Sequence, residues 1–238
     1  MNHPAPLQTN QATKEPFIRL RRHPNIVVTP PRLTDADALV HLLNDPRVHD
    51  WLKGPPYPYT QQDAESWLKV TTDASGELLG KLECPVVDGC PFSSLREISD
   101  DGTDTFIGSV TLDRWGYPLI RDEIDKKSQL VKENFQRAAG DPEIIWTIGD
   151  YLAPSHHGRG IMTDALDTLL HDWAIPRMKA RHIIVTAFTG NVGSVRVFEK
   201  LGFTLRETLP DFEDVKGRFR GFHVLEWKMD ASRAPGTS

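Results

Sequence analysis

The run Leu152-Ala153-Pro154-Ser155-His156-His157-Gly158-Arg159-Gly160-Ile161-Met162 constrains this chain more than any other. Upstream, residues 143–152 form an apolar, β-rich stretch containing Ile144, Ile145, Trp146 and Ile148. Downstream, Ile161, Met162, Ala165, Leu166, Leu169, Leu170, Trp173 and Ala174 recur at the i, i+3/i+4 spacing of a helix with one buried face. Asp164, Asp167, His171 and Asp172 fall on its other, polar face. A strand must therefore pass into a helix across Gly158-Arg159-Gly160. Glycines accept positive φ and let other atoms approach the backbone closely. A helix start offers unpaired N–H groups and about half a positive charge. Such a turn suits an anion, phosphate above all, and Arg159 and the histidines add donors. A tight turn with no ligand satisfies the same residues. The dinucleotide pattern G-x-G-x-x-G is broken at Thr163, and no acid ends the next strand at Val185-Thr186-Ala187. No Gly-Lys-Ser/Thr follows, so a Walker A loop is absent.

Elsewhere the periodicity predicts strands over 26–28, 92–98, 105–112, 182–188, 203–208 and 219–229. Thr34 is the expected N-cap of a helix that Pro46 ends, and Thr60 of one running through Trp67 and Leu68. Residues 71–89 show no clear period. Residues 122–139 read as a helix ended by Gly140-Asp141-Pro142, and 194–201 as one ended by Gly202. The long helix from Gly160 is expected to stop at Pro176. Strands alternating with helices imply the α/β class, a mixed sheet with helices packed on it. The expected organisation is a flexible segment at 1–24, one domain at 25–230 with a helical insertion near 121–140, and a tail at 231–238.

Composition narrows the function classes. The formal net charge is −5 over 238 residues, and no long basic block offers a nucleic-acid groove. No apolar run reaches about 18 residues, so no membrane span is expected. Cys84 and Cys90 lack zinc-ligand spacing and read as free thiols in a reducing compartment; no metal is expected. A soluble, cytoplasmic protein, monomer or homodimer, is the simplest expectation.

A second segment, Asn191-Val192-Gly193-Ser194-Val195-Arg196-Val197-Phe198-Glu199-Lys200-Leu201-Gly202-Phe203, adds to the first. The pair resembles the GNAT superfamily of acetyl-CoA-dependent N-acetyltransferases. That family has (Gln/Arg)-x-x-Gly-x-(Gly/Ala) opening its long helix and Asn-x-x-(Ser/Ala)-x-x-x-(Tyr/Phe)-Glu-Lys-x-Gly-Phe on the next unit. The second pattern matches throughout; in the first, Ser155 replaces Gln or Arg. Arg32-Leu33-Thr34-Asp35-Ala36-Asp37, Asn44-Asp45-Pro46 and Ile148-Gly149-Asp150-Tyr151-Leu152 resemble the branch containing ribosomal-protein alanine acetyltransferases.

The resemblance implies a mostly antiparallel central sheet flanked by helices, its strands splayed at the coenzyme A site. Tyr151, Leu152 and Ala153 would bond the pantetheine amides. His157, Gly158, Arg159, Gly160, Ile161, Met162 and Thr163 would hold the pyrophosphate. Asn191 would bond pantetheine or water, Ser194 and Phe198 would line the channel near the sulfur, and Lys200 would reach the adenosine phosphate. The reaction it implies is direct attack of an amine on the thioester, with the Leu152 N–H as a candidate oxyanion donor. The acceptor would be a small-molecule or peptide amine. Two departures stand out: Thr147 where relatives in this branch often carry Glu, and Phe198 where many carry Tyr. Asp150, then Glu143, are the remaining candidates for the base, and Ser194 for donation to the thiolate. A catalytically degenerate acyl-CoA-binding regulatory or scaffold domain is the alternative. Trp51, Tyr57, Tyr59, Trp115 and Tyr117 suggest an aromatic acceptor pocket or plain core packing.

Overall fold

The computed structural model describes residues 7–229. Nine strands form one open sheet in the order β1-β2-β3-β4-β5-β6-β7-β9-β8. They are β1 (Gln8–Thr9), β2 (Pro16–Arg19), β3 (Ile26–Thr29), β4 (Ser94–Ile98), β5 (Asp104–Arg114), β6 (Ile145–Leu152), β7 (His182–Phe188), β8 (Thr204–Val215) and β9 (Arg218–Lys228). Every neighbouring pair is antiparallel except β6 and β7.

Helices α1 (Ala36–Leu43), α2 (Pro46–His49) and α3 (Gln61–Leu79) precede β4, and α4 (Ile124–Gln136) joins β5 to β6. Helix α5 (Ile161–Leu169) leads through a π-helical turn (Leu170–Ala174) into the short α6 (Ile175–Arg177), and α7 (Val192–Lys200) follows β7. Side chains alternate across a strand, and the two cores use that alternation. Trp146 and Leu152 of β6 join the cluster with Ile161, Leu166, Leu169 and Trp173 of the α5 region. Tyr151 packs instead against the cluster of Ala36, Leu39, Leu43, Ala64 and Leu68 from α1 and α3.

Several expectations need correction. The segment 1–24 is not a free arm over its described part. β1 and β2 extend the sheet, and Leu7, Ile18 and Leu20 are buried, the last two on alternate positions of one extended run. Residues 1–6 and the expected tail at 231–238 lie outside the described residues. Thr34 does not cap α1. A 3-10 turn over Leu33–Asp35 comes first, and the Asp35 carboxylate turns inward to Arg96 at 2.5 Å and to the Arg32 N–H at 3.1 Å. Pro46 starts a helix rather than only ending one. It fills the first turn of α2, where a missing N–H is harmless, and Asp45 caps it by accepting from the Arg47 N–H at 2.9 Å.

Thr60 does cap α3, in a reciprocal box with Asp63. That helix runs on through the stretch without clear period to Leu79. Its later turns carry few apolar anchors, and a side-chain bond from Ser75 to the Pro91 carbonyl (2.8 Å) ties them down. Pro176 does not stop the long helix. The wider π turn before it makes room for the proline ring, and the chain leaves at Lys179 with φ 57°.

Candidate active site

β6 and β7 pair only at Ile145–His182 and Trp146–Ile183, then part. The other edge of β6 stays bonded to β5 along its whole length. The Ala153 N–H donates to the Ile107 carbonyl at 2.7 Å, and the Ile145 carbonyl accepts from Trp115 at 2.8 Å. A residue in an antiparallel ladder directs its N–H and C=O to the same side. Odd-numbered positions thus serve β5, while the backbone groups of Ile148, Asp150 and Leu152 face the gap toward β7. His157 spans part of that gap: its Nε2 lies 2.7 Å from the Leu152 carbonyl. Behind the gap, Gly108 keeps β5 close. A Cβ there would sit 2.3 Å from the Tyr151 carbonyl oxygen.

The gap opens into a groove of about 670 Å³, a size typical of ligand sites. One wall is Ile148 to Leu152 and the other Thr186 to Phe188. Its end is the phosphate-type loop. Gly158 and Gly160 adopt φ 71° and 79°, and neither has a heavy atom within 4 Å of where a Cβ would stand. The loop therefore selects glycine through its backbone and leaves open space above itself. No side chain caps the start of α5, so its N–H groups face that space.

Of the expected binding residues, Tyr151, Leu152, His157, Gly158, Gly160, Ile161, Met162, Thr163, Asn191, Ser194 and Lys200 line the groove. Four expected residues fall elsewhere. Ala153 spends its N–H on Ile107. Arg159 is not among the residues that line the groove. Phe198 is 1 % exposed, packed in the core beside Phe203. It lies about 100° around α7 from the groove-lining Val197. Glu143 precedes β6, which carries Asp150 about 16 Å beyond Ile145, so it cannot serve the same site. Asp150 does line the groove, as its single carboxylate, and burial alone pushes it up to about 6.

The groove also gathers residues that the sequence reading passed over. Arg47, Lys53 and Arg196 join Lys200 on its wall. Arg47 is paired with Asp45 at 2.6 Å and Lys53 with Glu213 at 2.6 Å. Arg196 and Lys200 make no ion pair among the described residues. Val48, Trp51, Leu52 and Phe222 add apolar lining. Of the five suspected aromatic residues only Trp51 is there. Trp115 and Tyr117 meet edge-on near the start of β6, at the end of that strand away from Leu152.

A family model described as the acetyltransferase (GNAT) domain matches residues 25–204. The chain belongs to the GNAT acetyltransferase family. A curated relative, the probable N-acetyltransferase YjcK of Bacillus subtilis, is 43% identical over 56 residues, 24% of this chain and 30% of that protein. The match thus spans under a third of that relative. Ribosomal-protein-S5-alanine acetyltransferase from Vibrio fischeri superposes with a TM-score of 0.58 at 15% identity, over 88% of this chain and 96% of its own. Mycobacterium smegmatis RimJ, solved with CoA-disulfide, gives 0.53 at 20% identity over 92% and 88%. At these identities the structures share this GNAT fold.

Asn191, on the family's second motif, works here as a helix cap: its Oδ1 accepts from the Ser194 N–H at 3.1 Å. That bond orients α7 so that Gly193, Arg196, Val197 and Lys200 share the groove side. Arg196 was legible in principle, since it lies four residues before Lys200 on one helical face. Phe222 and Leu52 had no local signal, because chain topology alone brings them together.

Proposed function

We propose that this protein transfers the acetyl group of acetyl-CoA to the primary amine of a small molecule or peptide. The observation that carries the reading is the parting of β6 and β7 after two paired residues. It leaves a strand edge on which pantetheine amides can pair as an added strand would. The pyrophosphate then meets the uncapped start of α5 and the two left-handed glycines. Arg196 and Lys200 are free to take the adenosine phosphate.

The chemistry follows from what surrounds the thioester. An alkylamine with a pKa near ~10 arrives protonated. Asp150, raised to about 6 by burial, is the stronger base for it. The freed nitrogen attacks the carbonyl carbon, and the Leu152 N–H, pointing into the gap, bonds the oxyanion. The C–S bond then breaks. Phe198 has no proton to give, so the second proton, shed by the attacking nitrogen, passes through the Ser194 hydroxyl to the sulfur, and coenzyme A leaves as the free thiol.

The test is thiol release from acetyl-CoA with a panel of amines, run on wild type and Asp150→Asn. Turnover that loses its acid limb in the variant supports the mechanism. Thiol release with none of the amines, alongside firm acetyl-CoA binding, would favour the alternative of an acyl-CoA-binding regulatory domain. That alternative draws on Thr147 and the buried Phe198.

A further inference from the structure

We infer that His23, in the turn joining β2 to β3, is a positioning residue for the phosphate loop. The inference rests on the acetyl-CoA reading of the groove. The turn precedes the family match, which begins at residue 25. The turn covers part of the polar face of α5. Arg21 pairs with Asp172, Arg22 with Asp167 at 3.3 Å, and the Arg21 N–H reaches the Thr168 hydroxyl at 3.4 Å. These contacts fasten the turn to the helix.

His23 does something further. Asp164, in the first turn of α5, is 0 % exposed. Its carboxylate accepts from the Arg22 N–H at 2.8 Å and Nε at 3.3 Å, and lies 2.7 Å from His23 Nδ1. The other ring nitrogen, Nε2, lies 3.1 Å from the Arg159 carbonyl. A carboxylate and a carbonyl only accept, so each ring nitrogen faces an acceptor. The ring therefore ties a buried carboxylate inside α5 to the peptide between Gly158 and Gly160. Those two glycines are the residues with most backbone freedom to lose when a phosphate is bound. Fixing Arg159 between them prepays that ordering and keeps the N–H groups aimed at the groove. Arg21 and Arg22 already hold the turn, so the Arg159 contact has no other structural task.

The variants that test this are His23→Asn and Arg21→Ala. An asparagine amide can occupy the Nδ1 position and keep a donor to Asp164, but it stops short of Arg159. Arg21→Ala loosens the turn away from the loop. Acetyl-CoA affinity, KM and kcat are measured with Tm, together with hydrogen exchange of the 158–160 amides without cofactor. The expected result for His23→Asn is a Kd and KM raised about tenfold, about 1.4 kcal/mol. Its kcat at saturation and Tm stay near wild type, and exchange of the loop amides is faster. Arg21→Ala keeps wild-type affinity. Unchanged loop exchange in His23→Asn, or equal loss of affinity in Arg21→Ala, overturns the inference. Wild-type protein that fails to bind acetyl-CoA would instead sink the reading of the groove on which the inference depends.

Discussion

Replacing Asp150 with asparagine is expected to stabilise the protein while slowing its turnover. Burial lifts this carboxyl from 3.8 to about 6, and no charged partner contributes. The difference is about two units, or about 3 kcal/mol at most at ~1.4 kcal/mol per unit. Asp150 is only half-buried, so solvent screening brings the figure down to about 1–2 kcal/mol. The sign follows from proton linkage. Between pH 3.8 and about 6 the folded state holds more protons than the unfolded chain. Wild-type stability therefore falls as pH rises through that window, and the cost is fully present above it. Asparagine carries no charge and escapes the cost. For a domain of this size each kcal/mol moves Tm by about 2–4 °C. Asp150→Asn should melt about 3–6 °C higher than wild type at pH 8 and no higher at pH 4. In parallel, wild-type kcat/KM should fall below about pH 6, and the variant should lose about 10²–10⁴ in kcat/KM and that acid limb with it. Paired calorimetric scans and pH–rate profiles decide it. A variant less stable at pH 8 would mean that the carboxylate has a stabilising partner, and a retained acid limb would remove Asp150 as the base.

Three other substitutions probe separate parts of the account. Ile18→Ala should cost about 2–5 kcal/mol in denaturant unfolding, because this side chain, in the segment expected to be free, is 0 % exposed; a neutral effect would detach β2 from the core. Arg96→Met leaves the Asp35 carboxylate, itself 4 % exposed, without its 2.5 Å partner, and should cost about 3–5 kcal/mol, with much of that recovered in the Arg96→Met/Asp35→Leu double variant. Asn191→Ala removes the α7 cap, so Tm should drop by the equivalent of about 1 kcal/mol and the acetyl-CoA KM should rise; an unchanged KM would make Asn191 a cap alone.

The parts of the site legible in the sequence are those whose signals are local. The Gly158–Gly160 turn and the apolar period of α5 each report on a few consecutive residues, and the structure has that turn and that helix. Directions around an element were harder to read. Phe198 and Ser194 share one family motif, yet a small rotation about α7 puts one in the core and the other on the groove. Glu143 stayed a second candidate behind Asp150 on one β-rich run, until the start of β6 at Ile145 separated them. The N-terminal strands were missed because β2 has only four residues, one of them charged, and their burial comes from sheet edge pairing rather than from any pattern of their own. The partners of the α5 polar face were illegible for a related reason. Its acids are matched by Arg21, Arg22 and His23, more than 140 residues away in sequence, and no window along the chain contains both.

The proposed acetyl-CoA site is the gap between β6 and β7, closed by the Gly158-Arg159-Gly160 loop. Calorimetric titration of acetyl-CoA into wild type and Gly160→Asp tests it most directly. At φ 79° an aspartate is strained by about 1–2 kcal/mol and sets a carboxylate where the pyrophosphate would lie. The account predicts saturable one-to-one binding to wild type and none to the variant. Wild type that takes up no acetyl-CoA, or a folded Gly160→Asp that binds it equally well, would contradict it.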